Sequence, residues 1–263
     1  GKISAYVSPR HLAVGSDGLI CICPSDKADF RMRMFNADAS EGMMCGNGSR
    51  CIAKFVYDKG LTQKNPITLE TLSGIKTIAM DVADGKVVSA TVDMGVPITD
   101  PSSIPMTWEK SICLDETITV TVDGAPLSLR GTGVSMGNPH FVTFVEDVAT
   151  APVEKVGRVI EHSSYFPERV NVEFVEIVDD NHVKFRVWER GSGETLACGT
   201  GACAVAYTAI TLGKAGRRDQ FLTVEAVGGP LQLNYRSDGH MMMKGPAVTV
   251  YEGEMEIPDN ILK

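Results

Sequence analysis

Phe35–Ala53 reads FNADASEGMMCGNGSRCIA, and Trp188–Ala206 reads WERGSGETLACGTGACAVA. The two stretches align without a gap. Phe35 meets Trp188, Glu41 meets Glu194, Cys45 meets Cys198, Gly46 meets Gly199 and Gly48 meets Gly201. Downstream, TLETLSG from Thr68 matches TVEAVGG from Thr223 after a small shift, and each is followed by a hairpin with an Asp-Gly turn. Internal similarity over this span implies two structural halves of similar fold. Each copy reads as strand, glycine-rich turn and helix, and the helical pattern covers Gly48 to Lys59 and Gly201 to Gly213. MGNPHFVTF, from Met136, has no partner in the first half. The duplication therefore predicts that the intact protein carries a strand and turn ahead of Gly1.

Strand signals dominate the rest. Val170 to Val178 and His182 to Trp188 alternate around Asp179-Asp180-Asn181, which reads as a hairpin. Asp84-Gly85, Asp123-Gly124 and Asp238-Gly239 each separate two apolar runs, a strong hairpin signal. The chain has 263 residues, 43% hydrophobic and 22% charged, an ordinary globular balance with room for one large domain or two modest ones. The net charge of −8 argues against nucleic acid or an anionic membrane as partner. No stretch is apolar enough to span a bilayer, and the first residues, GKISAYVSPRHL, lack the apolar core of a signal peptide. Seven cysteines, an odd number, do not read as a disulfide framework, and no histidine stands at zinc-ligand spacing from them. No metal and no cofactor is expected.

A cysteine opening a helix beside glycines has a clear chemistry. The first turn of a helix presents unpaired N–H groups and a partial positive charge. Glycines let an anion approach that backbone closely. A thiolate there is stabilised, so both Cys45 and Cys198 are expected to have lowered pKa values. One C-G-x-G supplies an activated thiol and a carboxylate cradle together. Two copies suit inversion at an α-carbon, which needs a base on one face and an acid on the other. A single C-G-x-G would more often be a tight turn with a buried cysteine; the duplication reverses that weighting. Cys51 and Cys203 read as small core residues, Cys21, Cys23 and Cys113 as strand residues, Met241 to Met243 as strand core, His162 as a surface group, and Glu146 and Asp147 as a solvated turn.

At these residues the chain closely resembles the diaminopimelate epimerases over almost its whole length. The carrying motifs are FNAD at Phe35, MCGNGSRC at Met44, SMGNPH at Ser135, VNVEFV at Val170, VWERGSGETLACGTGACA at Val187 and GGPL at Gly228. The resemblance implies an α/β (α+β) fold of two pseudo-symmetric domains, each a β-barrel-like mixed sheet around a central helix, with substrate in the cleft between them. On this chain the halves would be 1–97 plus 249–263, carrying Cys45, and 98–248, carrying Cys198. It further implies that Cys45 and Cys198 are the catalytic acid/base pair. Backbone N–H groups of Gly46, Asn47, Gly199 and Thr200 would hold the carboxylate at the reacting centre. Asn36, Asn138, Asn171 and Arg190 would fix the distal end of the substrate, and Glu189 and His140 would sit beside the thiols. Taken alone, Asn138 and Asn171 would read as turn caps and Arg190 as a surface ion pair. The family's early G-N-D-F segment is not present. Ala39 stands where the family usually has glycine, which calls for a negative φ there. RHLAVGSDGL, from Arg10, has Ala13 at the family's first glycine.

The resemblance implies cofactor-independent conversion of L,L- to meso-diaminopimelate, in lysine and cell-wall precursor biosynthesis. The partner would be that small molecule, the location cytoplasmic, and a homodimer one assembly open to the chain. A proline-type racemase of the same fold is the alternative enzyme. A dithiol switch or a non-catalytic interaction module is the alternative of another class. Arg190 favours a substrate with a second charged end.

Overall fold

The computed structural model describes residues 1–262 as two compact units, 1–92 with 245–262, and 93–244. The sequence reading divides the chain after 97 and 248. The difference has a local cause: Met94 N–H donates to the Met241 carbonyl (2.9 Å) and Met241 N–H to the Gly95 carbonyl (2.8 Å), so Met94 and Gly95 are tied to the second unit.

The first unit holds α1 (Lys2–Val7), β1 (Gly18–Cys23), β2 (Phe30–Asn36), β3 (Glu41–Gly42), α2 (Gly46–Asp58), β4 (Ile67–Thr71), β5 (Gly74–Ala83) and β6 (Lys86–Asp93). Its strands follow the order β1-β2-β4-β5-β6, with β3 added to β2; the β2–β4 pair is parallel and the others named by register are antiparallel. The second unit holds β7 (Glu116–Val122), β8 (Ala125–Ser135), β9 (Pro139–Phe144), α3 (Val153–Glu161), β10 (Asn171–Asp179), β11 (His182–Glu189), β12 (Gly193–Thr195), α4 (Gly199–Thr211), β13 (Phe221–Ala226), β14 (Gly229–Tyr235) and β15 (Met241–Pro246). Its order is β15-β14-β13-β11-β10-β9-β8-β7, with parallel β11–β13 and β10–β9 pairs. A short helix, α5 (Asp259–Leu262), ends the described chain. The mixed sheets and the repeated order (β1-β2-β4-β5 answering β10-β11-β13-β14) match the expected fold. No helix among the described residues is long and apolar enough to cross a membrane.

The turn chemistry reads directly from sequence. Asp84-Gly85 (φ 49° and 72°) and Asp123-Gly124 (φ 51° and 80°) take the paired positive φ of tight hairpin turns. Asp179 to His182 closes β10 on β11 with a register shift. The two long helices begin at Gly46 and Gly199, two residues before the expected starts, because the cysteines cap them. The third helix, α3, was not expected. It buries Val153, Val156, Gly157 and Ile160 against β10 and β11, a helical spacing that the strand-rich surroundings obscure.

The helices differ in enclosure. In α4 the run Gly201 to Ala209 is buried throughout; its small residues let strands approach from every side. In α2 one face is buried through Ile52, Ala53 and Val56, while Cys51 and Phe55 are exposed. This corrects the expectation that Cys51 is a core residue. Its neighbour β1 has no strand among the described residues on the edge corresponding to that which β9 covers on β10. Cys203 and Cys113 are buried, and Met241 and Met243 are strand core.

Ala39 also departs from expectation, lying at φ 72°. Asn36 N–H donates to the Ser40 carbonyl (2.8 Å) and Ala39 N–H to the Asn36 carbonyl (3.0 Å), closing a turn that requires a left-handed residue. A non-glycine residue is strained there by about 1–2 kcal/mol, offset in part by the flexibility of glycine when unfolded. Ala39→Gly should therefore stabilise the protein by roughly 0.5–1 kcal/mol, read as a higher urea midpoint at unchanged slope.

Candidate active site

In the first unit Cys45 is the N-cap of α2, with extended backbone (φ −133°, ψ 116°). Gly48 N–H donates to Cys45 Sγ at 3.3 Å, while Ser49 donates from its N–H (2.8 Å) and from its hydroxyl (2.9 Å) to the Cys45 carbonyl. Gly46 is buried and Asn47 exposed. The Asn47 side chain accepts from Arg50 Nη2 (3.1 Å), and Arg50 is itself buried, with Nε donating to the Pro246 carbonyl (3.2 Å). Asn36, at the end of β2, is exposed and donates from Nδ2 to Ser40 Oγ (2.9 Å). Asn36 and Asn47 are thus the exposed members of this group, and Gly46 and Arg50 the buried ones.

In the second unit Cys198 repeats the cap on α4 (φ −129°, ψ 112°), with Gly201 N–H donating to Sγ at 3.4 Å and Thr200 Oγ1 3.4 Å from it. The strands beside it bring the other expected residues together. His140 on β9 lies opposite Asn171 on β10 in the parallel register. His140 Nδ1 lies 2.6 Å from Glu173 Oε1, and its Nε2 is 3.1 Å from Asn138 Oδ1. Asn171 is buried; Nδ2 donates to the Pro139 carbonyl (2.8 Å), and Oδ1 accepts the Arg190 N–H (2.9 Å). Glu189 accepts from the Thr195 hydroxyl. Arg190 is exposed, with Nη1 donating to the Glu168 carbonyl (3.2 Å). Asn171 is thus a brace that orients the turn bearing Arg190.

The electrostatics of Cys198 run against the expected lowering. Burial pushes the thiol far up, and the carboxylates of Glu189 and then Glu173 push it further; the bonds from Thr200 and Gly201 oppose this without overcoming it. The partial charge of a helix terminus is a small term beside loss of hydration in a pocket that leaves Cys198 7% exposed. Burial likewise raises the Glu173 carboxyl, opposed by His140.

Three structural contributors escape the sequence reading: Glu173, Arg50 and Glu161. Glu161 is 2% exposed and ends α3; it accepts from Trp188 Nε1 (2.7 Å) and from Gly191 N–H (2.9 Å), so it shapes the turn that presents Glu189 and Arg190. A signal for Glu173 exists, since it stands where the aligned first copy has Ile20. Among the described residues no cluster of three His, Cys, Asp or Glu side chains is gathered in the manner of a metal site, and none of the seven cysteines is in a disulfide.

The chain also has likenesses to known proteins over nearly its whole length. The diaminopimelate epimerase family model matches residues 2–99 and 132–250. The diaminopimelate epimerase of Methanococcus maripaludis (strain C5) is 52% identical over 257 residues, 97% of this chain and 90% of that protein. That of Bacillus subtilis (strain 168) is 48% identical over 96% of this chain and 87% of its own length. Among solved structures, a hydroxyproline epimerase from Agrobacterium vitis with bound trans-4-hydroxy-L-proline superposes with a TM-score of 0.67 at 14% identity, covering 93% of this chain and 76% of that one. A phenazine biosynthesis protein of the PhzF family from Bacillus anthracis gives 0.67 at 19% identity, covering 97% and 88%. The two structures share the fold, whereas the sequence relatives are about half identical over nearly the whole chain. This chain belongs to the diaminopimelate epimerase family.

Proposed function

We propose that the chain converts L,L-diaminopimelate to meso-diaminopimelate by a two-thiol acid/base mechanism without a cofactor, in lysine and cell-wall precursor biosynthesis. The observation that carries this reading is the duplicated cap: two cysteines with nearly the same backbone angles, each accepting from the glycine three residues on. The family's name supports the substrate. One cysteine, as thiolate, takes the α-proton; the other, as thiol, delivers a proton to the opposite face. Bonds made and broken balance, and the roles exchange in the reverse direction. The N–H groups of Gly46, Asn47, Gly199 and Thr200 stabilise charge on the substrate carboxylate as the α-proton leaves. Cys198, whose thiolate burial and two carboxylates disfavour, rests as the proton donor. Asn36, Asn138, Asn171 and Arg190 serve the distal amino-carboxylate end, with His140 and Glu189 supporting the thiol. Both free thiols suit a reducing, cytoplasmic setting.

Cys45→Ser and Cys198→Ser test the mechanism. Serine is a favoured N-cap, so the helices persist. Each variant should lose epimerisation by about 10²- to 10⁴-fold, measured by α-proton exchange in D2O with L,L- and meso-diaminopimelate. Near-normal turnover in either would sink the two-thiol reading.

Glu189→Gln removes the larger of the two carboxylate contributions at Cys198. Its pKa then falls, the thiolate forms at lower pH, and the pH midpoint for alkylation of Cys198, followed by mass spectrometry, should move down. A midpoint that stays or rises contradicts the electrostatic account.

Arg190→Met removes a planar fork suited to a carboxylate. The expected outcome is a KM for diaminopimelate raised about 10- to 100-fold, with Cys198 alkylation unchanged. Racemisation of proline by the unaltered protein as fast as turnover of diaminopimelate would reassign the substrate.

A further inference from the structure

Glu173 is fully buried on β10, and beyond its influence on the Cys198 thiol the two-thiol mechanism gives it no part. Its Oε1 lies 2.6 Å from His140 Nδ1, with both side chains at 0% exposure. Its Oε2 has no hydrogen-bond partner. The pseudo-symmetry says what the position needs for folding. Glu173 pairs with Val187 as Ile20 pairs with Met34, at aligned places in the two units. Each side chain fills the space left by a glycine in the first turn of its helix: a Cβ on Gly48 would lie 2.4 Å from Ile20 Cδ1, and one on Gly201 would lie 2.8 Å from Glu173 Oε1. An isoleucine therefore satisfies the packing. The carboxyl in the second unit serves a different purpose.

We infer that Glu173 is a positioning residue for substrate binding: it forms a net-neutral pair with His140, with one proton between Oε1 and Nδ1 and a second on Nε2, which makes Nε2 the donor to Asn138 Oδ1. Two lone pairs cannot face each other at 2.6 Å, so a proton lies between oxygen and nitrogen. A full buried carboxylate with one bare oxygen would be costly. A pair holding a second proton on Nε2 is neutral overall, whether written as neutral acid and imidazole or as carboxylate and imidazolium, and so buries no net charge. Burial, which raises the Glu173 carboxyl, favours keeping the shared proton. With Nε2–H donating to Oδ1 (3.1 Å), the Asn138 amide has one orientation, and its NH2 group is left for another partner. That partner is the distal amino-carboxylate end of the substrate. The inference rests on the proposed role of Asn138 and extends it to the group that sets its amide.

The test uses the full chain. Nitrogen-15 NMR of histidine-labelled protein, with His140 assigned by its loss in His140→Gln, should show Nε2 carrying a proton without substrate. Glu173→Ile places at this site the residue type that the first unit already accommodates, so the fold should persist. It should raise KM for diaminopimelate about tenfold or more while changing kcat less. Glu173→Gln should recover most of the loss, because its amide N–H can donate to Nδ1. An unprotonated Nε2 in the parent protein, or unchanged KM in Glu173→Ile, would overturn the proposal. The NMR reading does not depend on turnover, so it fails or holds separately from the two-thiol mechanism, which the cysteine variants judge.

Discussion

The contact between a cysteine sulfur and the N–H of the glycine three residues later organises both halves of this chain. It ends a strand, starts a helix and holds the sulfur over the helix N-terminus. Glycine leaves the room for it. A Cβ at Gly48 would fall 3.5 Å from Cys45 Sγ and one at Gly201 3.3 Å from Cys198 Sγ, and each would also strike the side chain that the neighbouring strand sends into the first turn. Sheet order, turn and helix are thus coupled at one point. Substitution there would disturb packing and chemistry together.

The two copies have kept this backbone and diverged in environment. In the first unit the sheet side chain against the helix start is Ile20, and Asn36 and Asn47 are exposed. In the second unit it is Glu173, paired with His140, and Cys198 is nearly enclosed. A helix terminus favours a thiolate, but enclosure and two nearby carboxylates oppose it more strongly in the second unit. Near-equal local geometry therefore does not imply an equal setting for the sulfur.

Much of the architecture was legible because it rests on local rules. Asp-Gly turns, alternating strands and the repeated C-G-x-G each act through neighbours in sequence. Internal duplication then extended local readings to the whole chain. The exceptions are non-local. The acidity of Cys198 depends on carboxylates from β10 and β11 and on enclosure, none of which a motif encodes. Cys51 looks like Cys203 in sequence, yet its side of α2 adjoins an edge strand and lies open. Residue type alone calls for a negative φ at Ala39, whereas the turn from Asn36 to Ser40 imposes the opposite. The helix α3 was missed because its apolar spacing is short and lies between strong strand signals. Glu161 and Glu173 escaped because their roles depend on partners 27 to 33 residues away in the chain.

Glu161 has a mechanical consequence. From the last residue of α3 it holds the Trp188 indole and the Gly191 amide, while Gly157 of the same helix packs so closely on Trp188 that a Cβ there would lie 2.5 Å from it. The backbone carrying Glu189 and Arg190 is therefore clamped to a helix and, through Asn171, to a strand. It cannot swing as a free loop. A ligand engaging this turn need not order the backbone on arrival, and only the torsions of the Arg190 side chain are left to be fixed. The entropy of shaping this part of the molecule is lost during folding, once, and is not charged again to each binding event.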